Sequence, residues 1–226
     1  MSTSLPSIIC SILSFIPAIV FHEVMHGFAA NRLGDPTAKN AGRLSLNPLK
    51  HIDPFGTVLL PLLLMALGGP IFGYAKPVPY NPRYFKNPRT GDLIVGLAGP
   101  AANLAMAIIA ALLAGALYYF VPASFYSGSV FSFYYVFLFL TTFALINLYF
   151  MFFNLLPIPP LDGSSIFAVI LPQKYLPGYY RIQRYALPIF FVVAIGLPYL
   201  IHVNPIGIYL DATAGNLFHL MFPYLG

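Results

Sequence analysis

Three residues near the N-terminus have the types and spacing of hydrolytic chemistry: His22, Glu23 and His26, in the stretch FHEVMHG. Positions four apart lie one above the other on a helix face, so the two imidazoles would grip one zinc ion. Glu23 stands beside them, placed to take a proton from water activated by that metal. A hydrolytic zinc site needs a third protein ligand and an open position. Elimination narrows the choice. Glu23 is the only glutamate, Arg32 stands six residues past His26, and Cys10 is the only cysteine, so a thiolate cluster and an internal disulfide are excluded. Among the aspartates, Asp35 and Asp53 lie in polar stretches, Asp92 opens an apolar run as an N-terminal charge, and Asp211 is isolated in the last apolar run. Asp162 sits in an apolar setting with helix-breaking neighbours, PIPPLDGSSIF, which free it to turn toward a partner helix. Its competing role is an N-cap over residues 164–171. His51, His202 and His219 are weaker ligand candidates, read as interfacial or core histidines.

The elements that must position these groups are membrane helices. Of 226 residues, 59% are hydrophobic and 8% charged, against about 25% charged in a soluble domain. Apolar runs at about 5–33, 93–120, 130–156, 185–201 and 206–224 approach or exceed the ~20 residues that cross a bilayer. The expected fold is an all-α polytopic membrane protein with five to six transmembrane helices and a three-helix catalytic core. It would form a single domain over 1–226, with its core at about 5–171, a basic-side loop and re-entrant segment at 34–90, and accessory helices at 185–226. The first run lacks the basic start of a secretory signal and reads as a retained helix. The net charge of +5 is dispersed through loops, which argues for membrane topology and against nucleic-acid binding.

Residues 55–72 are apolar but broken by Pro61, Gly68, Gly69 and Pro70. If this piece crosses, the basic residues divide between the two sides. If it dips in and returns, all eleven Lys and Arg fall on one side, as the positive-inside rule favours. The N-terminus would then face outside and five helices would cross. The stretches AGRLSLNP and YAKPVPYNP read either as edge strands for an extended substrate or as surface loops on the membrane. Tyr118, Tyr119, Tyr126, Tyr179, Tyr180 and Tyr185 read as interfacial anchors. Depth is consistent with one site: His22 lies about 15 Å from Arg32 along a helix, and Asn103 about 16 Å inward from Asp92. The run GLAGPAANLAMAIIAALLAGA is rich in small residues, which lets backbones approach closely.

HEVMH, GLAGPAAN and NLLPIPPLDG, in this order on three successive runs, resemble the signatures of the site-2 protease family of intramembrane zinc metalloproteases. The resemblance implies that His22, His26 and Asp162 bind one zinc per chain and that Glu23 is the catalytic base. It also implies that Asn103 assists substrate or oxyanion binding, with Asn154 a weaker candidate for the same polar lining. It further implies cleavage of transmembrane segments of other proteins, such as membrane-tethered regulators or signal-peptide remnants. The chain looks like a minimal member without PDZ or CBS domains. The expected setting is a multi-pass plasma-membrane protein, with basic loops and active-site opening on the cytoplasmic side. Two other classes compete: a metal transporter or sensor, and a non-catalytic scaffold for transmembrane partners. A transporter would need acidic or histidine residues along a path, and outside the proposed site the runs hold almost none besides Asp211 and His219.

Overall fold

The computed structural model describes residues 4–59, 75–122, 133–183, 185–192 and 196–225. Three helices in it are long and apolar enough to cross a membrane: α1 (Leu5–Arg32), α3 (Pro88–Phe120) and α4 (Phe133–Asn154). Between the first two lies α2 (Thr37–Asn40). After α4 come α5 (Ser164–Ile170), α6 (Leu176–Gln183), α7 (Ala186–Phe191) and α8 (Leu197–Ile201). The chain closes on α9 (Pro205–Leu210), a π-helical piece (Asp211–Gly215) and α10 (Asn216–Met221), which follow one another without a break.

Local chemistry sets the ends of the long helices. Ser4 caps α1 through the amide of Ser7, and Asn87 caps α3 through the amide of Thr90 at 3.3 Å, each followed by proline in the first turn. Gly34, at φ +99°, turns the chain away from α1 in a conformation that costs other residues strain.

The buried positions of α3 are Gly91, Val95, Gly96, Gly99, Pro100, Asn103, Ala107, Ala110 and Ala114, one face of the helix that recurs at every turn. With no large side chain along it, α1 and α4 pack closely on this face. The C-terminal half of the stripe, Ala107 to Ala114, joins Ala144, Leu148 and Met151 of α4 with Ala214 and Phe222 in one apolar core. Helices α1 and α3 are antiparallel, because His22 meets Asn103 and His26 meets Val95. The C-terminus of α1, the N-terminus of α3 and the C-terminus of α4 therefore gather at one end.

The expected re-entrant piece lies largely outside the described residues; its described start, Pro54–Leu59, is π-helical. Tyr126 and most of the loop before α4 also lie outside them. Among the described residues there is no strand, so of the two readings of AGRLSLNP (41–48) and of the described part of YAKPVPYNP (75–82), the edge strand is not the one seen. Pro77 and Pro79 have no N–H to offer a ladder, and side chains take the neighbouring backbone groups. The Arg43 guanidinium donates to the Lys76 carbonyl (2.6 Å), and the Val78 amide donates to Glu23 (2.9 Å).

Candidate metal centre

On α1, His22 and His26 are 2% and 8% exposed, and their rings meet edge to face at 4.6 Å. The turn after α4 brings Asp162 to them. Its Oδ2 lies 2.9 Å from His22 Nε2 and 3.3 Å from His26 Nε2. Donor atoms on a zinc tetrahedron with ~2.0–2.1 Å bonds stand about 3.3 Å apart, so the three atoms have the spacing of ligands around one ion. Asp162 Oδ2 is buried without a hydrogen-bond donor, a costly state for a carboxylate unless a cation completes it. The expected alternative of Asp162 as a helix cap is not what its side chain does: α5 follows Gly163 with no side-chain cap. The backbone of Asp162 is held instead, its carbonyl accepting the Ser165 amide (3.0 Å) and hydroxyl (2.7 Å). The Gly163 amide donates to Asn154 O at 2.7 Å and ties the turn to the end of α4.

The proton arrangement follows from groups that can only accept. Asn147 donates its side-chain amide to Phe143 O (2.8 Å), which leaves its Oδ1 to accept. Asn103 donates to that Oδ1 (2.8 Å) and to Ala18 O (3.2 Å), which leaves Asn103 Oδ1 to accept from His22 Nδ1–H at 2.6 Å. His26 Nδ1–H likewise donates to Val95 O at 2.7 Å. In the neutral form of each imidazole, Nε2 is then the lone pair that faces Asp162, the tautomer a metal requires. Gly99 completes the cradle. A Cβ there would stand 2.6 Å from His22 Cε1, His26 Cε1 and His26 Nε2, so any side chain would displace both rings. Two neutral imidazoles, one carboxylate and an open side fit a divalent zinc ion.

Glu23 faces the same cavity of about 420 Å³, whose walls include Phe15, Ile19, Phe150 and Phe153. Asn154 lines it too, but its amide donates to Phe150 O at 2.9 Å within its own helix. Asn103 is fully buried behind His22 with both kinds of polar atom engaged. Its position is that of a support for the imidazole rather than a donor to the cavity. His51 is buried away from the three and contacts Ser45 O at 2.8 Å. His202 and His219 lie in the C-terminal segments. Asp92 accepts from Tyr80, Asp53 caps Gly56, and Asp211 accepts from Tyr149. Asn147 escaped sequence reasoning; its signal was an amide in an apolar run, two helical turns before Asn154.

Residues 10–197 match the family model for Peptidase family M50. "Putative zinc metalloprotease YwhC" of Bacillus subtilis is 35% identical over 201 residues, covering 88% of this chain and 82% of the relative. "Putative zinc metalloprotease Rip2" of Mycolicibacterium smegmatis is 38% identical over 152 residues, 67% of this chain and 53% of the relative. Rip2 of Mycobacterium tuberculosis is 36% identical over 156 residues. The chain thus spans about half the length of the Rip2 relatives, which it covers at 53% and 54%. No solved structure matches it. A match over most of the chain, on a buried His-His-Asp cluster between membrane-length helices, carries one conclusion: the chain belongs to Peptidase family M50, the site-2 proteases.

Proposed function

We propose that the chain is a zinc-dependent intramembrane protease in which His22, His26 and Asp162 hold the metal and Glu23 is the catalytic base. The observation that carries this reading is the convergence of two imidazole Nε2 atoms on one buried carboxylate oxygen, at 2.9 and 3.3 Å, in the wall of a cavity that Glu23 also lines. When bound, zinc supplies a Lewis acid that polarises a carbonyl and lowers the pKa of water. Glu23 takes the proton of the attacking water. As the carbon–nitrogen bond breaks, it hands that proton to the departing amine. Asn103 and Asn147 orient His22 and keep its Nδ1 protonated. The sequence expectation of an oxyanion donor at Asn103 gives way to this positioning role, because its amide is already spent.

The substrate is a transmembrane segment of another membrane protein, and the aromatic cavity walls suit such a chain. A peptide group is reachable there only when its helix has opened, since a helical carbonyl is already bonded. The eleven Lys and Arg favour an arrangement with the N-terminus outside, five crossings, and the basic end of α1 and α3 in the cytoplasm of a cell membrane. His22 then lies about 15 Å deep. The test is Glu23→Gln in the purified chain with a helical substrate. Zinc stays at one per chain while cleavage falls about 100- to 10,000-fold, the range for loss of a general base. Cleavage at the wild-type rate removes Glu23 from the mechanism.

A further inference from the structure

The metal cluster leaves one observation unexplained: the segment Lys-Pro-Val-Pro-Tyr-Asn, residues 76–81, crosses α1 directly beside Glu23. Pro77 and Pro79 carry no N–H. Val78 therefore offers the sole backbone donor of that triplet, and it donates to Glu23 Oε2 at 2.9 Å. We propose that the Val78 amide is a positioning group for the catalytic base, and that residues 76–81 are a rigid strap built to hold it there. The proposal rests on the reading of Glu23 as the base.

The strap is fastened on both sides of Val78. Ahead of it, the Lys76 amide donates to His51 O (2.9 Å), and the Arg43 guanidinium donates to Lys76 O (2.6 Å) and Pro77 O (3.4 Å). Beyond it, the Tyr80 hydroxyl donates to Asp92 Oδ1 (2.6 Å), and the Asn81 amide donates to Asp35 Oδ2 (2.5 Å). The Val78 side chain, 5% exposed, fills the space over Gly27, where a Cβ would come within 2.7 Å of it. Gly27 lies four residues after Glu23, on the same face of α1. The strap therefore seats on the bare glycine and reaches the carboxylate one turn earlier.

Each proline serves this arrangement twice. It fixes its own φ and holds the preceding residue, Lys76 or Val78, in extended backbone. It also removes a neighbouring donor that would compete for the carboxylate. A glutamate side chain has three rotatable bonds, so a free base samples many orientations. With Oε2 taken by Val78, Oε1 is left to face the cavity and its water. Misplacement of a reacting group by about 1 Å can cost about 100-fold in rate.

The test replaces the Val78 amide by an ester in the full chain, using the α-hydroxy analogue of valine at position 78. The side chain and both prolines stay, and only the N–H is lost. The expected result is unchanged zinc content, KM within about two-fold of wild type, and kcat down about 10- to 100-fold. An unchanged kcat overturns the proposal. Glu23→Gln run in parallel separates the two readings: cleavage by that variant sinks the base assignment, whereas an inactive Glu23→Gln beside a fully active ester sinks only the strap. If the ester chain fails to retain zinc, Arg43→Ala decides. It should speed amide hydrogen exchange across residues 76–81 and lower kcat with zinc retained, and Arg43→Lys should restore part of both. Faster exchange with wild-type kcat overturns the coupling between strap and base.

Discussion

The two halves of α3 use small residues for different ends. From Gly96 to Asn103 the buried face is shaped around polar groups: Gly96 makes room for Ser165, Gly99 clears space for two imidazoles, and Asn103 holds one of them while Val95 O holds the other. From Ala107 to Ala114 the same stripe packs into an apolar core with α4 and the C-terminal segment. One sequence habit, a small residue every three or four positions, thus serves chemistry at the basic end and plain packing at the other. In lipid a small residue signals close approach, and only the partner across the gap says what the approach is for.

Adding bulk to each half is the sharpest way to break this comparison. Gly99→Ala places a methyl where both rings stand. It should abolish stoichiometric zinc binding and lower cleavage by more than about 1,000-fold, beyond the usual loss for a disturbed support shell. Ala110→Val should instead destabilise the fold by about 1–3 kcal/mol through overpacking, with zinc content and kcat close to wild type. Metal analysis and thermal unfolding in one detergent would read both. Equal effects on zinc would erase the distinction between the halves.

The supporting asparagines come next in size. Asn103→Ala removes the acceptor that keeps His22 in its metal-binding tautomer and should weaken zinc affinity about 10- to 100-fold. Asn147→Ala acts one bond further away and should cost less. Competition with a zinc chelator ranks the two, and the reverse order would contradict the proton arrangement derived from Phe143 O.

The smallest effect concerns the strap's far anchor. Burial alone would raise the pKa of Asp35, but hydrogen bonds from the Thr37 hydroxyl and the Asn81 and Thr37 amides outweigh it and hold the carboxyl below the usual range. A folded-state pKa below the unfolded one gives stability that is full above about pH 4 and is lost as pH falls through the folded value. Melting temperatures of wild type and Asp35→Asn should therefore differ at pH 6 and draw together toward pH 3. A gap that stays constant across this range would deny Asp35 its ionised role.

Sequence pattern and fold agree best where spacing within one helix decides geometry. His22 and His26 share a face because they are four apart, and the small-residue stripe of α3 marked the helix that packs on them. Asp162 was reached by elimination, which needed only a count of acidic residues and the prolines before it. What the sequence could not display is interhelical register. Asn103 meets Ala18, His22 and Asn147 across 85, 81 and 44 positions, so its amide looked free for an oxyanion until those partners were in view. The strap shows the same limit. Its prolines pointed to an unpaired edge, but that its one amide meets Glu23, 55 positions away, depends on how residues 76–81 cross α1.

Zinc X-ray absorption on the purified chain, wild type beside Asp162→Asn, tests the centre most directly. A His-His-Asp centre predicts two imidazole nitrogens and carboxylate or water oxygen at about 2.0–2.1 Å, with no sulfur shell near 2.3 Å, and a marked loss of zinc in the variant. Zinc bound as tightly in Asp162→Asn, with the same spectrum, would contradict it.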